Sequence, residues 1–256
     1  MSANVSITAQ LAREFSSLDV PRRVQSLRRQ VAGRLVFTSS LGLEDQVITH
    51  FIAETGVNIE IVTLDTGRMF PETHDLWAAT QDHYKLPIKG CFPETEALAH
   101  LVGTTGVNGF YASADNRHAC CHVRKIEPLK RALAGAQGWI TGLRADASGN
   151  RADMAPVEYD GQRDLIKFNP LFDWSRKQVA EFAASHDVPV SPLHARGFMS
   201  IGCAPCTRAV RPGEPERAGR WWWEQDDKRE CGLHVDANGR LVRSGRDELQ
   251  GAVDGA

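Results

Sequence analysis

No stretch of this sequence approaches the roughly 18 consecutive apolar residues that a membrane-spanning helix needs. Met1 to Glu14 also lacks the apolar core and cleavage pattern of a secretory leader. The first absence argues against a helical membrane protein, and the second points to a cytoplasmic chain. An excess of basic charge is missing too: 30 Lys and Arg face 32 Asp and Glu, a formal net charge of -2. The general electrostatic pull towards nucleic acid or an anionic membrane is therefore absent. There is no internal repeat. Without a leader, six cysteines in 256 residues are poor material for a disulfide framework, because cytosolic thiols stay reduced. At 42% hydrophobic residues, the chain can bury a large core without a metal or disulfide.

The pattern that remains alternates between strand and helix. Up to Gly33 the chain reads as helical, with Leu11, Phe15 and Leu18, then Val24, Leu27 and Val31, at helical spacing. Its arginines Arg22, Arg23, Arg28, Arg29 and Arg34 read as a solvated face and its end. Leu35 to Phe37 is a short strand, Leu43 to Thr55 a helix, and Ile59 to Leu64 a second strand, which together make a βαβ unit. A helix starts at the first-turn proline Pro71, and Leu86 to Cys91 reads as a strand. Trp139 to Thr141 and Leu165 to Phe168 follow as strands, with a helix over Ser175 to Ser185. The predicted class is α/β, Rossmann-like, with an open, mostly parallel sheet flanked by helices. We expect one domain over residues 1–235, with a helical segment at 1–33 and a loop-rich one at 189–235, and a flexible tail at 236–256.

In such sheets ligands bind beyond the carboxyl ends of the strands, where helix N-termini present backbone N–H groups. Ser39 to Asp45 (SSLGLED) and Leu64 to Arg68 (LDTGR) fall there. Either alone is an ordinary capping turn; at successive strand ends they point to a nucleotide or phosphate pocket. Cys120, Cys121, Cys203 and Cys206 are the stronger signal, since four thiolates complete the shell of a zinc ion or a 4Fe-4S cluster. Adjacent cysteines serve two irons of a cube more easily than two corners of one tetrahedron, which favours iron–sulfur and leaves zinc open. Arg124 and Lys125 follow the first pair and Arg208 and Arg211 the second, either to offset an anionic cluster, to hold an anionic substrate, or as a solvated face. Cys231, beside Lys228, Arg229 and His234, has the surroundings of a nucleophilic thiol, although a single cysteine there can also be incidental. For Trp221 to Trp223 the default is core.

These pieces resemble the assimilatory adenylyl-sulfate reductases. SSLGLED, LDTGR, CCHVRKIEPLK from Cys120, KFNPL from Lys167, IGCAPCTR from Ile201, GRWWWE from Gly219 and ECGLH from Glu230 carry the resemblance over Leu35 to Val235. It implies an adenine nucleotide α-hydrolase-like fold and reduction of adenosine 5′-phosphosulfate (APS) to sulfite and AMP, with thioredoxin as partner. It further implies a 4Fe-4S cluster on Cys120, Cys121, Cys203 and Cys206, and a catalytic Cys231 that passes through an S-sulfocysteine. Substrate contacts are implied at Ser39, Gly42, Glu44, Asp45, Leu64, Asp65, Thr66 and Arg68, and at the cations Lys125, Arg144, Arg151, Arg217 and Arg220. ATP-hydrolysing relatives of this fold carry Ser-Gly-Gly-x-Asp-Ser, so Leu41 and Leu43 argue against pyrophosphate chemistry. The rivals are a phosphoadenylyl-sulfate (PAPS) or dual reductase, an iron–sulfur tRNA-thiolating enzyme, and a non-enzymatic zinc or redox sensor.

Overall fold

The structure is a computed structural model that describes residues 3–147 and 154–224. The expected tail at 236–256, Cys231 and Arg151 lie outside the described residues. Two helices, α1 (Ala3–Ser17) and α2 (Val20–Gln30), precede the sheet. Asp19 caps α2 by accepting a 3.0 Å bond from the Arg22 N–H, satisfying one of the donors a helix start leaves open. Then come β1 (Arg34–Ser39), α3 (Leu43–Thr55), β2 (Glu60–Leu64), α4 (Pro71–Tyr84) and β3 (Ile88–Cys91). The α3 helix ends where Gly56 takes the left-handed conformation, and α4 starts at Pro71.

Among the described residues the strands form one sheet in the order β3-β2-β1-β4-β6-β5, with β4 at Ala136–Ile140, β5 at Val157–Asp160 and β6 at Leu165–Phe168. All pairings are parallel except that of β5 with β6. The chain runs outward from β1 to β3 and returns on the other side of β1, so the strand order reverses between β1 and β4. A crevice opens at such a switch point, beyond the carboxyl ends of the two strands. Alternation along β1 sends Leu35 and Phe37 to the face covered by α1 to α3, and Val36 to the face where Leu129, Leu133 and Trp139 pack. Burial on both faces is what makes these strands short continuous apolar runs.

Between β3 and β4 lie α5 (Thr95–Thr105), α6 (Ala114–Cys121), a π-helical turn over His122–Ile126 and α7 (Glu127–Leu133). The last helix, α8 (Arg176–Ser185), starts at Ser175 with a reciprocal capping box to Gln178. From Pro189 to Glu224 the described residues form loops and short 3-10 turns.

The N-terminal arginines are not all a solvated face. Arg23 is 3% exposed, and its guanidinium bonds the Phe15 and Pro170 carbonyls at 2.9 and 2.8 Å and both Asp173 oxygens at 2.6 Å. Arg34 pairs with Glu60 at 2.7 Å and donates to the carbonyls of Ala132 and Ala134. Helical spacing identifies a face but not what later folds over it. Truncating Arg23 strands two buried carbonyls and a carboxylate, so Arg23→Ala should cost about 2–4 kcal/mol in urea unfolding. Arg29→Ala, on the exposed side, should stay within about 0.5 kcal/mol; equal losses for the two would contradict this assignment.

Candidate active site

The crevice between β1 and β4 is a cleft of about 240 Å³. On one side, the β1–α3 turn curls so that Leu41 sits buried at φ 58°, and Gly42 caps α3 without a side chain of its own. Asp45 closes that turn: its Oδ2 accepts from the Ser40 N–H and from the Ser40 hydroxyl, both at 2.6 Å. Gly142, just past β4, lies so close that a Cβ there would collide with Asp45 Oδ1. The α3 N-terminus thus faces the cleft with its first-turn N–H groups.

Charge is divided along the cleft. Lys125, Arg217 and Arg220 line it together with Cys203. Arg220 reaches the Ser200 hydroxyl and the Ile201 carbonyl at 3.3 Å, and Gly202 leaves the room it needs. Glu44, Asp45 and Glu216 also line the cleft, and Glu44 and Glu216 are bound up with Arg144. Arg144 is fully buried; it donates to Glu44 at 2.8 Å, Glu216 at 3.0 Å and Asp146 at 3.3 Å. Arg176 joins Glu216 at 3.2 Å. Burial raises the Glu216 carboxyl, helped by Glu44, against the pull of Arg176 and Arg144.

A second, smaller cavity adjoins the first and is lined by Cys120, Cys121, Cys203 and Cys206 with Arg68, Phe110, Arg117, Arg124, Lys125 and Trp221. Lys125 and Cys203 belong to both walls. The cysteines come together because α6 ends at Cys121 and the π-helical turn after it presents Arg124 and Lys125, while the Cys203–Cys206 loop is hydrogen-bonded across to the β2 end, Ala204 N–H to Arg68 O at 2.7 Å. The loop is also tied to the tryptophans, through the Trp221 N–H to Cys206 O bond and the Thr207–Arg220 bridge. Thr66 Oγ1 lies 3.3 Å from Cys203 Sγ.

The thiols do not titrate alike. Burial would raise Cys203, but Lys125, the Thr66 hydroxyl, Arg220 and Arg124 outweigh it and hold the thiol below its ordinary value. Burial and the neighbouring Cys203 push Cys206 up to about 12. Cys120 is likewise raised, chiefly by burial. Four thiols sharing one cavity therefore resist ionising together unless something positively charged lies among them. The buried Arg124 Nε, Trp221 Nε1 and Trp223 Nε1 have no hydrogen-bond acceptor, and the first two belong to residues of the cavity wall. Among the described residues no three His, Cys, Asp or Glu side chains gather as the ligand set of a single metal ion. An iron–sulfur cube, which binds thiolates and accepts hydrogen bonds from N–H groups, would fit a set of four thiols with such unpartnered donors beside it.

Of the residues singled out in the sequence, Ser39, Gly42, Glu44, Asp45, Leu64, Thr66, Lys125, Arg144, Arg217 and Arg220 meet at the cleft. Two are not among its lining residues. Asp65 is spent on the Gly67 N–H at 2.8 Å and on His74 at 2.9 Å, and Arg68 turns to the Val107 carbonyl and Asn108. Arg144 lines the cleft, but its nitrogens are engaged by carboxylates, so it stands as a clamp between acids rather than as an open anion site. Sequence reasoning missed Glu216, Arg176 and Gly142. Glu216 adjoins Arg217, and Gly142 follows a strand end as Gly67 does, so both were visible; Arg176 carried no signal. The tryptophan run splits: Trp221 is buried and Trp222 is 37% exposed.

Residues 34–209 match the Phosphoadenosine phosphosulfate reductase domain family, and the chain belongs to that family. Its relatives include the adenosine 5′-phosphosulfate reductase of Agrobacterium fabrum, 53% identical over 89% of this chain and 87% of that one. Those of Rhizobium meliloti (54% identity, 87% and 83% covered) and Allochromatium vinosum (51%, 78% of each) carry the same name. Among solved structures, the phosphoadenylyl-sulfate reductase of Candida auris superposes with a TM-score of 0.68 at 24% identity, covering 82% of this chain and 98% of the other, which shows a shared fold.

Burial pushes the Asp45 carboxyl up to about 6, against the two bonds from Ser40 and with help from Glu44. The folded state then holds this proton more tightly than the unfolded chain. Stability from this group is full below about pH 4 and is lost as pH rises to about 6, a change of about 2–3 kcal/mol. Asp45→Asn removes the titration, so its stability relative to wild type should climb by that amount between pH 4 and pH 7 in urea melts. Parallel pH profiles would refute it.

Proposed function

We propose that the protein reduces adenosine 5′-phosphosulfate to sulfite and AMP in sulfate assimilation, with thioredoxin as electron donor and residues 1–235 working as one cytoplasmic reductase unit. The observation that carries this reading is a nucleotide-type cleft whose basic end shares a wall with four cysteines, in a chain whose relatives at 51–54% identity bear that activity in their names. No helix among the described residues is long and apolar enough to cross a membrane.

In this reading Lys125, Arg217 and Arg220 neutralise the phosphate and sulfate oxygens, which a nucleophilic anion could not otherwise approach. The Cys231 thiolate attacks the sulfate sulfur. An S–S bond forms, the bond from sulfur to the 5′-phosphate oxygen breaks, and AMP leaves with the electron pair. A thioredoxin thiolate then attacks Cys231 Sγ, expelling sulfite and leaving a mixed disulfide. The second thioredoxin thiol resolves it and restores the Cys231 thiolate, so the dithiol supplies both electrons. Cys120, Cys121, Cys203 and Cys206 would hold a 4Fe-4S cluster, whose irons would supply positive charge and local rigidity beside the substrate. The protein's own residues do the rest: Ser40 and Asp45 fix the turn that presents the α3 N-terminus, and Lys125 stands between cleft and cysteines.

The family description supports a second reading, PAPS reduction. The four cysteines and the named relatives weigh towards APS. The β1–α3 loop disfavours ATP-dependent tRNA thiolation, and a pure metal sensor leaves the cleft unexplained.

Cys231→Ser should bind APS and keep its iron yet release no sulfite, because the soft nucleophile is gone while the cysteine cavity is intact. Sulfite release near the wild-type rate would remove Cys231 from the reaction. Cys206→Ala should lower iron content and activity together, and Cys91→Ala neither, by iron analysis of anaerobically purified protein. A full complement of iron in Cys206→Ala would refute the ligand assignment.

A further inference from the structure

The proposed reaction accounts for the basic end of the cleft but leaves its acidic end unexplained. Glu44 and Glu216 are both mostly buried, face the same cleft, and are held together by Arg144, which neither end of the cleft exposes to solvent. Asp146 shares Arg144, Arg176 bonds Glu216, and Asp45 stands in the same wall. Arg144 and Arg176 thus stand among three carboxylates, Glu44, Glu216 and Asp146, and Asp45 adds a fourth acid to the wall, so acids outnumber these two guanidinium groups. Burying like charges so close costs stability, and folding alone would be served as well by fewer acids.

The orientation of a nucleotide follows from the division of charge. Its anionic groups belong at Lys125, Arg217 and Arg220, which leaves the nucleoside at the carboxylate end. Ribose hydroxyls are donors, and carboxylates accept them. A phosphate on the ribose is a further dianion, and there it would meet acids whose cations are already engaged.

We infer that Glu216 is a specificity-determining residue, one that fixes the negative charge of the nucleoside end and so excludes nucleotides carrying a second phosphate on the ribose. This rests on the proposed nucleotide reading of the cleft. Glu216 sets the charge balance because it hydrogen-bonds both guanidinium groups, Arg144 at 3.0 Å and Arg176 at 3.2 Å, whereas Glu44 bonds Arg144 and lies 4.0 Å from Arg176. Exclusion works by repulsion rather than by a missing contact, the device by which binding sites reject close analogues.

The test compares AMP with adenosine 3′,5′-bisphosphate by calorimetry on the intact protein. Wild type should bind AMP more tightly, by about tenfold. Glu216→Gln, nearly the same in shape, should shift the ratio of the two affinities at least about fivefold towards the bisphosphate, whereas Glu216→Asp should keep the wild-type preference. Should Glu216→Gln not fold, Glu44→Gln removes the neighbouring acid and should move the ratio in the same direction. An unchanged ratio in the folded Gln variant would overturn the inference, as would loss of preference in Glu216→Asp. Wild type that binds neither nucleotide would instead sink the nucleotide reading itself.

Discussion

In the proposed reading an anionic nucleotide lies beside a group of thiols, which requires cations between them; Lys125, on the wall that both cavities share, has that place, with Arg220 on the cleft side. Lys125 lines both the cleft and the cysteine cavity, and both cations draw the Cys203 thiol below its ordinary value against its own burial. The rest of the architecture serves this juxtaposition. The reversal of strand order at β1 and β4 opens the cleft. The π-helical turn after Cys121 gives Lys125 its place one turn beyond the cysteines, and the loop from Cys203 to Cys206 is pinned to the β2 end and to Trp221. A π-turn inside a helix is seldom adopted without a functional reason.

The opposite end of the cleft is built by the opposite rule. Arg144 and Arg176 are spent on Glu44, Glu216 and Asp146, so cations abundant in sequence are not abundant to a ligand. Net charge near zero thus conceals a steep local gradient. Asp45 shapes the β1–α3 turn through Ser40, and Gly142 is the residue that leaves it room.

Much of this was legible in the sequence where a single physical signal dominated. The α3 helix is bounded at Leu43 and Thr55 as expected because Gly56 stops it, and α4 starts at Pro71 because a proline can open a helix. The turn motifs and the cysteine pairs were visible as residue types at telling spacings. What escaped notice had no such signal. Among the residues of α5, Leu101 is the buried one, so there is no apolar stripe to read, and β5 is a short antiparallel edge strand with polar neighbours. Arg23 and Arg144 are buried by partners 150 and 100 residues away or fewer, which no local pattern records. Asp65 and Arg68 sit in a strand-end motif, yet their side chains turn to His74 and to Asn108.

The central claim is that the cleft is polar along its length and orients its ligand. A crystal structure of the protein with AMP bound tests it most directly. The account predicts the 5′-phosphate within hydrogen-bond distance of Lys125 or Arg220 and next to the cysteine cavity, with the ribose beside Glu216 and Glu44. A phosphate seated on the Arg144 side, with the nucleoside against Cys203, would contradict it.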